Sequence, residues 1–252
     1  MSDLKPEFIK TLNSIARKFS TWQVFADAMR MMALTLRSPL LLEPCEKEEC
    51  ERQFSDIEER YSEERLQMAK LFAIVIQALE DSQTDFLGGV MERIGASNLG
   101  TDQYLTPTPV SSMMARVLAH PTDYKPGQIV TMSDPSCGAS VMLIESARKF
   151  VEAGGNRSDV LLLADDLDAN AFNISFVQLS LLGWAAVVRR MDSLSGKVYE
   201  GPWYTPGYFL HCMPMRRPFG MDAEKDRTKD EIKEAPKPID VRKLAQAEFD
   251  LG

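Results

Sequence analysis

Apolar residues recur at steps of three and four through the first part of the chain. Phe8, Ile9, Leu12, Ile15, Phe19, Val24, Phe25 and Met29 fall on this spacing, with arginine and lysine between them. They predict a helix over 6–36 that Ser38-Pro39 stops. A second helical stretch is expected from near Glu46 to about Leu79. Its first half, EKEECERQFSDIEERYSEER, is dense in charge and is expected to face solvent. Its second half, LFAIVIQAL, is almost wholly apolar and is expected to be buried. Together they define a helical N-terminal region, residues 1–84, of a size common for domains.

From Asp85 the pattern changes to alternating units. DFLGGVMERIGA reads as a short helix; the two prolines of DQYLTPTPV postpone regular helix until Val110, after which SSMMARVLAH fits one. An apolar strand over 128–133 then meets a turn, Asp134 to Gly138, and a helix from Ala139 to Ala153 closed by Gly154-Gly155. VLLLA, at 160–164, is a second buried strand ending at Asp165-Asp166. A helix over 168–182, Gly183 and a third strand from Ala185 to Arg189 follow. Strand and helix in alternation predict an α/β fold with a doubly wound, mainly parallel sheet over 85–213. Past Asp192 the pattern weakens: GPWYTPGYFLHCMPM has aromatic strand character fenced by Pro202, Pro206 and Pro214. Residues 214–252 are charged with scattered apolar positions, and a tail that is partly disordered or ordered by a partner is expected there.

A chain of 252 residues with 44% hydrophobic content has material for a real core. The net charge of -8 excludes a protein that coats nucleic acid or anionic lipid through bulk electrostatics, leaving only local basic patches for such contacts. The four cysteines form no CxxC pair and there are two histidines, so neither a zinc site nor a disulfide framework is indicated. The N-terminus lacks the apolar core of a signal peptide and no apolar run approaches a membrane span. A soluble protein of the reducing cytoplasm is expected.

The chemistry concentrates where strands end. The segment MSDPSCGAS (132–140) places Asp134 at the carboxyl end of the first strand and a glycine, Gly138, in the turn. The second strand ends in Asp165 and Asp166, and the third is followed by Asp192. Parallel sheets bind ligands at this edge, where a glycine lets backbone approach the ligand and a carboxylate can accept the hydroxyls of a ribose. Three successive strand ends bearing acids suit an adenosine-containing ligand. Each acid taken singly is equally well explained as a turn or helix-cap residue.

DPSCGAS resembles motif I of the N6-adenine DNA methyltransferases, D-P-x-C-G-x-G, above all that of the modification subunits of type I restriction systems. Three further segments, in the same order, are similar to that family. DFLGGVMER followed by DQYLTPTPV resembles D-x-L-G-x-x-x-E and G-Q-F-Y-T-P-x-x-V; DDLDANAFNISFVQLSLLGW resembles E-x-D-x-x-A-x-x-x-A-x-x-N-L-x-L-x-G; and RMDSL resembles G-D-S-L. The resemblance covers about 85–194. It implies a Rossmann-like fold of the methyltransferase type and S-adenosyl-L-methionine as cofactor. In that reading Gln103, Tyr104, Thr106 and Pro107 close over the methionine end. Asp134, Pro135, Cys137 and Gly138 line the amino-acid and ribose side, Asp166 takes the ribose hydroxyls and Asp192 the adenine amino group. Cys137, with no basic partner in view, reads as a small packed residue rather than a nucleophile.

Two departures from the pattern stand out. Ser140 occupies the position of the last motif glycine, and the family's catalytic N-P-P-Y is absent. The nearest segment is Thr205-Pro206-Gly207-Tyr208, in which Tyr208 would stack on a flipped base and Thr205 would be a poorer acceptor than asparagine. An aromatic turn beside an edge strand explains the same residues. About 60 residues remain after Asp192, so a sheet that is short or altered in topology is expected. The resemblance implies a DNA adenine-N6 methyltransferase-like protein, with Trp203, Tyr208 and the pairs Arg189-Arg190 and Arg216-Arg217 as DNA-facing candidates, and surface salt pairing is an equal explanation for the arginines. The alternative is a catalytically degenerate homologue that binds cofactor, or a restriction-modification partner subunit or second copy, without methylating DNA. A dinucleotide-type enzyme is disfavoured because the first turn lacks G-x-G-x-x-G.

Overall fold

Ser20 divides the first helical run. In the computed structural model, which describes residues 4–97, 108–118 and 124–212, the predicted helix over 6–36 is two, α1 (Leu4–Ile15) and α2 (Thr21–Arg37). Ser20 is extended and its hydroxyl accepts the amide of Gln23 at 3.1 Å, a side-chain cap that starts a new helix. The second run is likewise two helices, α3 (Pro44–Arg60) and α4 (Arg65–Ser82). At the break Tyr61 turns inward. Its hydroxyl donates to Asp27 Oδ2 at 2.7 Å, and the guanidinium of Arg60 reaches the same oxygen. Periodicity alone runs through both breaks, because the apolar spacing continues across them.

The solvated character of α3 is as expected: among its residues only Cys50 is buried. α4 buries one face, from Met68 to Leu79, while Ile76 in its apolar half stays 42% exposed. Next come α5 (Leu87–Ser97) and α6 (Thr108–Leu118). α6 starts two residues earlier than expected. Pro109 stands in its first turn, where a missing amide hydrogen costs nothing.

The α/β part runs β1 (Val130–Asp134), α7 (Val141–Glu152), β2 (Val160–Asp166), α8 (Ala169–Leu181), β3 (Ala186–Asp192), β4 (Lys197–Tyr204) and α9 (Pro206–His211). The sheet has the order β1-β2-β3-β4, with β1, β2 and β3 parallel and β4 antiparallel to β3. The α/β class, the mainly parallel sheet and the helical N-terminal region are those expected from the sequence, and among the described residues the sheet has four strands. β4 is the element that the prolines obscured. It lies on the sheet edge, its pairing with β3 shifts register twice, and Gly201 takes a φ of 92° with Val188 O 2.8 Å from where a Cβ would stand. An edge strand with bulges accommodates a proline that a central strand would reject.

Alternation along the strands separates two cores. Val160, Leu162, Ala164, Ala186 and Val188 point to one face, where α7, α8 and the N-terminal helices share a single apolar cluster with Phe8, Phe25 and Leu71. Leu161, Ala185 and Val187 point to the other and meet Tyr208 and Cys212. α8 is buried from Ala171 to Ser180 because the sheet lies on one side of it and α2 on the other. Trp203 of β4 completes that junction: Phe172 and Phe176 meet its ring edge to face at 4.7 and 5.2 Å, and Arg30 and Arg37 of α2 place their guanidinium carbons 5.0 and 4.4 Å from its centre.

Candidate functional site

The carboxyl edges of β1, β2 and β3 are tied together by hydrogen bonds. The turn after β1 leans on the end of β2: Cys137 N donates to Asp165 O at 2.9 Å and Gly138 N to Asp166 Oδ2 at 2.8 Å. The other oxygen of Asp166 accepts the amide of Asp168 at 2.9 Å. Asp168 itself caps α8 through the amides of Asn170 and Ala171. The end of β3 joins from the other side, where Ser193 Oγ donates to Pro135 O at 2.5 Å. Asp134, Pro135, Gly138, Asp166 and Asp192 are therefore gathered on one edge, with Cys137 buried beneath the turn.

The neighbouring acids have separate partners. Asp165 pairs across the ladder with Arg189, whose Nε and Nη2 both lie 2.7 Å from its oxygens. Asp166, one residue on, points toward the turn. Asp192 accepts the amide of Leu194 at 2.9 Å and the hydroxyl of Ser195 at 2.7 Å, and these donors hold its carboxyl below the usual range. Asp134 is pushed the other way, by its burial first and then by the charges of Asp166 and Asp165. Burial pushes the Cys137 thiol up to about 12, so it is a packed thiol at neutral pH.

A half-buried carboxylate crowded by other acids suits a ligand that brings positive charge. Asp166 has two amide donors on a group with about four acceptor positions, which leaves room for hydroxyl donors. Gly138, at a φ of 53°, brings bare backbone to the same place. A cavity of about 210 Å³ lies elsewhere, between α2, α3 and α4; it is lined by Met31, Met32, Phe54 and Met68 among others, and its one carboxylate, Glu58, is paired with Arg65.

Thr205, Pro206 and Tyr208 are placed at the opposite end of the sheet. Thr205 is fully buried; its hydroxyl donates to Trp184 O at 2.7 Å and accepts Ala186 N at 2.9 Å, at the amino end of β3. The seven-residue β3 runs from this point to Asp192, six steps that rise about 20 Å at about 3.3 Å per residue. Pro206 opens α9, and Tyr208 is buried with its ring centre 4.7 Å from that of Tyr204. The structure does not bring these three residues to the acids. Trp203 is buried under α2, and Arg189 is committed to Asp165. Gln103, Tyr104, Thr106, Pro107, Arg216, Arg217 and the tail 214–252 lie outside the described residues.

Two side chains on α8 that motif reasoning passes over touch the turn of the candidate site. Ser175 and Gln178 hold the 137–140 turn from beneath. The available signal was polar residues on a helix otherwise apolar all round, since buried polar groups have partners.

The N-6 DNA methylase family model matches residues 82–244, more than half of the chain and all of the acid-bearing edge. The chain belongs to the N-6 DNA methylase family. A comparison with curated proteins found no match. The family assignment agrees with the laced strand ends, and it makes DNA methylation the general setting of the site. Among the described residues no helix is long and apolar enough to cross a membrane.

Proposed function

We propose that the carboxyl edge of β1, β2 and β3 binds S-adenosyl-L-methionine, in an adenine-N6 DNA methyltransferase-like protein. The observation that carries this reading is the tie between Gly138 and Asp166, which sets a bare glycine turn beside a carboxylate with acceptor positions to spare. Asp166 would accept the ribose hydroxyls, Asp134 would face the positive end of the ligand, and Pro135, Cys137 and Gly138 would shape the floor. Asp192, which already holds its own turn, has less capacity left for the adenine amino group. When bound, the cofactor supplies an electrophilic methyl group. The chain's residues orient it and neutralise its charge.

A second reading has its own support. Transfer to a flipped adenine needs an acceptor for the amino protons and an aromatic platform near the methyl group. Thr205 and Tyr208 are buried at the far edge of the sheet, which favours either other residues in these roles or a homologue that keeps the cofactor and has given up base methylation. DNA remains the expected substrate of the first reading, and a modification or restriction subunit, or a second copy of the chain, the expected partner of the second.

Methyl transfer from tritium-labelled cofactor to unmethylated DNA separates them. Incorporation that Asp166→Ala abolishes supports the enzyme. Cofactor binding without incorporation supports the degenerate homologue, and absence of both contradicts the site.

A further inference from the structure

We propose that Ser175 and Gln178 are positioning residues that hold the 137–140 turn in its left-handed course, and that Ser175 is required because residue 140 is serine. The role in ligand binding rests on the S-adenosyl-L-methionine reading above; the role in holding the turn does not.

Residues 138 and 140 both have positive φ, 53° for Gly138 and 63° for Ser140. Glycine adopts this conformation freely, whereas a serine there crowds its Cβ against the backbone. Ser140 is fully buried as well, so its hydroxyl must find an acceptor inside the protein. Ser175 supplies one: Ser140 Oγ donates to Ser175 Oγ at 2.8 Å, and Ser175 Oγ donates in turn to Gly138 O at 2.8 Å. Cys137 Sγ lies 3.4 Å from the same hydroxyl. One serine on α8 thus touches three of the four turn residues.

Gln178, one helical turn further on, takes the fourth. Its Nε2 donates to Ala139 O at 2.8 Å and to Asp85 Oδ1 at 2.9 Å, and its Oε1 accepts the amides of Phe86 and Leu87 at 2.9 and 3.1 Å. Both donors and both acceptor positions of the amide are used. Asp85 also accepts the amide of Gly88 at 2.8 Å, so the start of α5 and the turn after β1 are held by one side chain. The two segments, about 50 residues apart in sequence, are thus joined through α8.

The serine pair explains how the chain tolerates Ser140 where its family pattern has glycine. Removing the Ser175 hydroxyl leaves the Ser140 hydroxyl only the weakly bonding Cys137 thiol and frees Gly138 O; with glycine at 140 there is no hydroxyl to satisfy and no Cβ to crowd. The effects of the two substitutions are therefore coupled.

Amide exchange measured residue by residue on wild type, Ser175→Ala, Ser140→Gly and the double variant tests this without any ligand. Ser175→Ala is expected to raise exchange at Gly138 and Ser140 at least tenfold over its effect on β2 amides, and Ser140→Gly to restore most of the loss. Unchanged exchange in Ser175→Ala, or a double variant as fast as Ser175→Ala, overturns the proposal. Gln178→Met, which removes the donors and the acceptor together without adding charge beside Asp85, is expected to raise exchange at Ser140 and at Leu87 at least tenfold over its effect on β2 amides; unchanged exchange at Ser140 overturns the role of Gln178. Calorimetry with S-adenosyl-L-methionine then gives affinities. If wild type binds, Ser175→Ala should bind at least tenfold more weakly and the double variant within threefold of Ser140→Gly. If wild type does not bind, the site reading fails while the exchange result still judges the positioning claim.

Discussion

Asp165 and Arg189 face each other across the β2–β3 ladder with two hydrogen bonds of 2.7 Å, while Asp166, one residue along, turns the other way to hold Gly138. Strand alternation thus gives two adjacent acids two tasks. One is a neutralised brace of the sheet and the other holds the turn of the proposed site.

Breaking the brace should destabilise without any ligand involved. Arg189→Ala leaves the buried carboxylate of Asp165 without its counter-charge, an effect of about 3–5 kcal/mol. The double change Asp165→Leu with Arg189→Met should lie much closer to wild type. Urea denaturation of the three proteins checks this, and equal losses in single and double variants would contradict it.

Asp134→Asn should trade stability against function. Burial and the charges of Asp166 and Asp165 raise the Asp134 carboxyl above its ordinary value, so its ionised form opposes folding. That penalty is fully present above the folded-state pKa, falls away as pH drops through it, and is gone below the unfolded-state value, about 3.9. The variant should accordingly have a higher urea midpoint than wild type at pH 7, with the difference vanishing at strongly acidic pH. Its affinity for the cationic cofactor should fall. A destabilised variant at pH 7 would refute the electrostatic account of Asp134.

Thr205→Val should affect the fold and spare the cofactor edge. The change orphans Trp184 O and Ala186 N, for a loss of about 1–3 kcal/mol in unfolding free energy. Cofactor affinity measured below the unfolding transition should remain that of wild type. A selective loss of cofactor affinity or transfer, with stability intact, would move Thr205 back into the site.

Trp203→Ala should loosen α2 from β4. The ring fills space against Phe172 and Phe176 and seats two guanidinium groups, and truncation of such a core aromatic costs about 3–5 kcal/mol. Thermal unfolding followed by near-ultraviolet dichroism reads the effect; a change below about 1 kcal/mol would show that the junction is held by other contacts.

Much of this was legible because strand ends announce themselves. Apolar runs closed by Asp134, Asp165-Asp166 and Asp192 placed three parallel strands, while their order in the sheet depends on which faces the helices bury and came from the structure alone. The breaks at Ser20 and Tyr61 were hidden because apolar spacing continues through a change of helix direction. β4 was obscured by prolines that only an edge position tolerates. Thr205 and Tyr208 show the limit of spacing as a guide: proximity to Asp192 in sequence says nothing about which end of an antiparallel return strand a residue reaches. β4 carries the chain back along β3, and so delivers Thr205 to the amino edge.

Whether the strand-end acids hold S-adenosyl-L-methionine is read by calorimetric titration of wild type and Asp166→Ala. Stoichiometric binding to wild type is expected, with a loss of at least tenfold in affinity in a variant that is still folded. A wild-type protein that takes up no cofactor, or a variant that binds equally well, would contradict it.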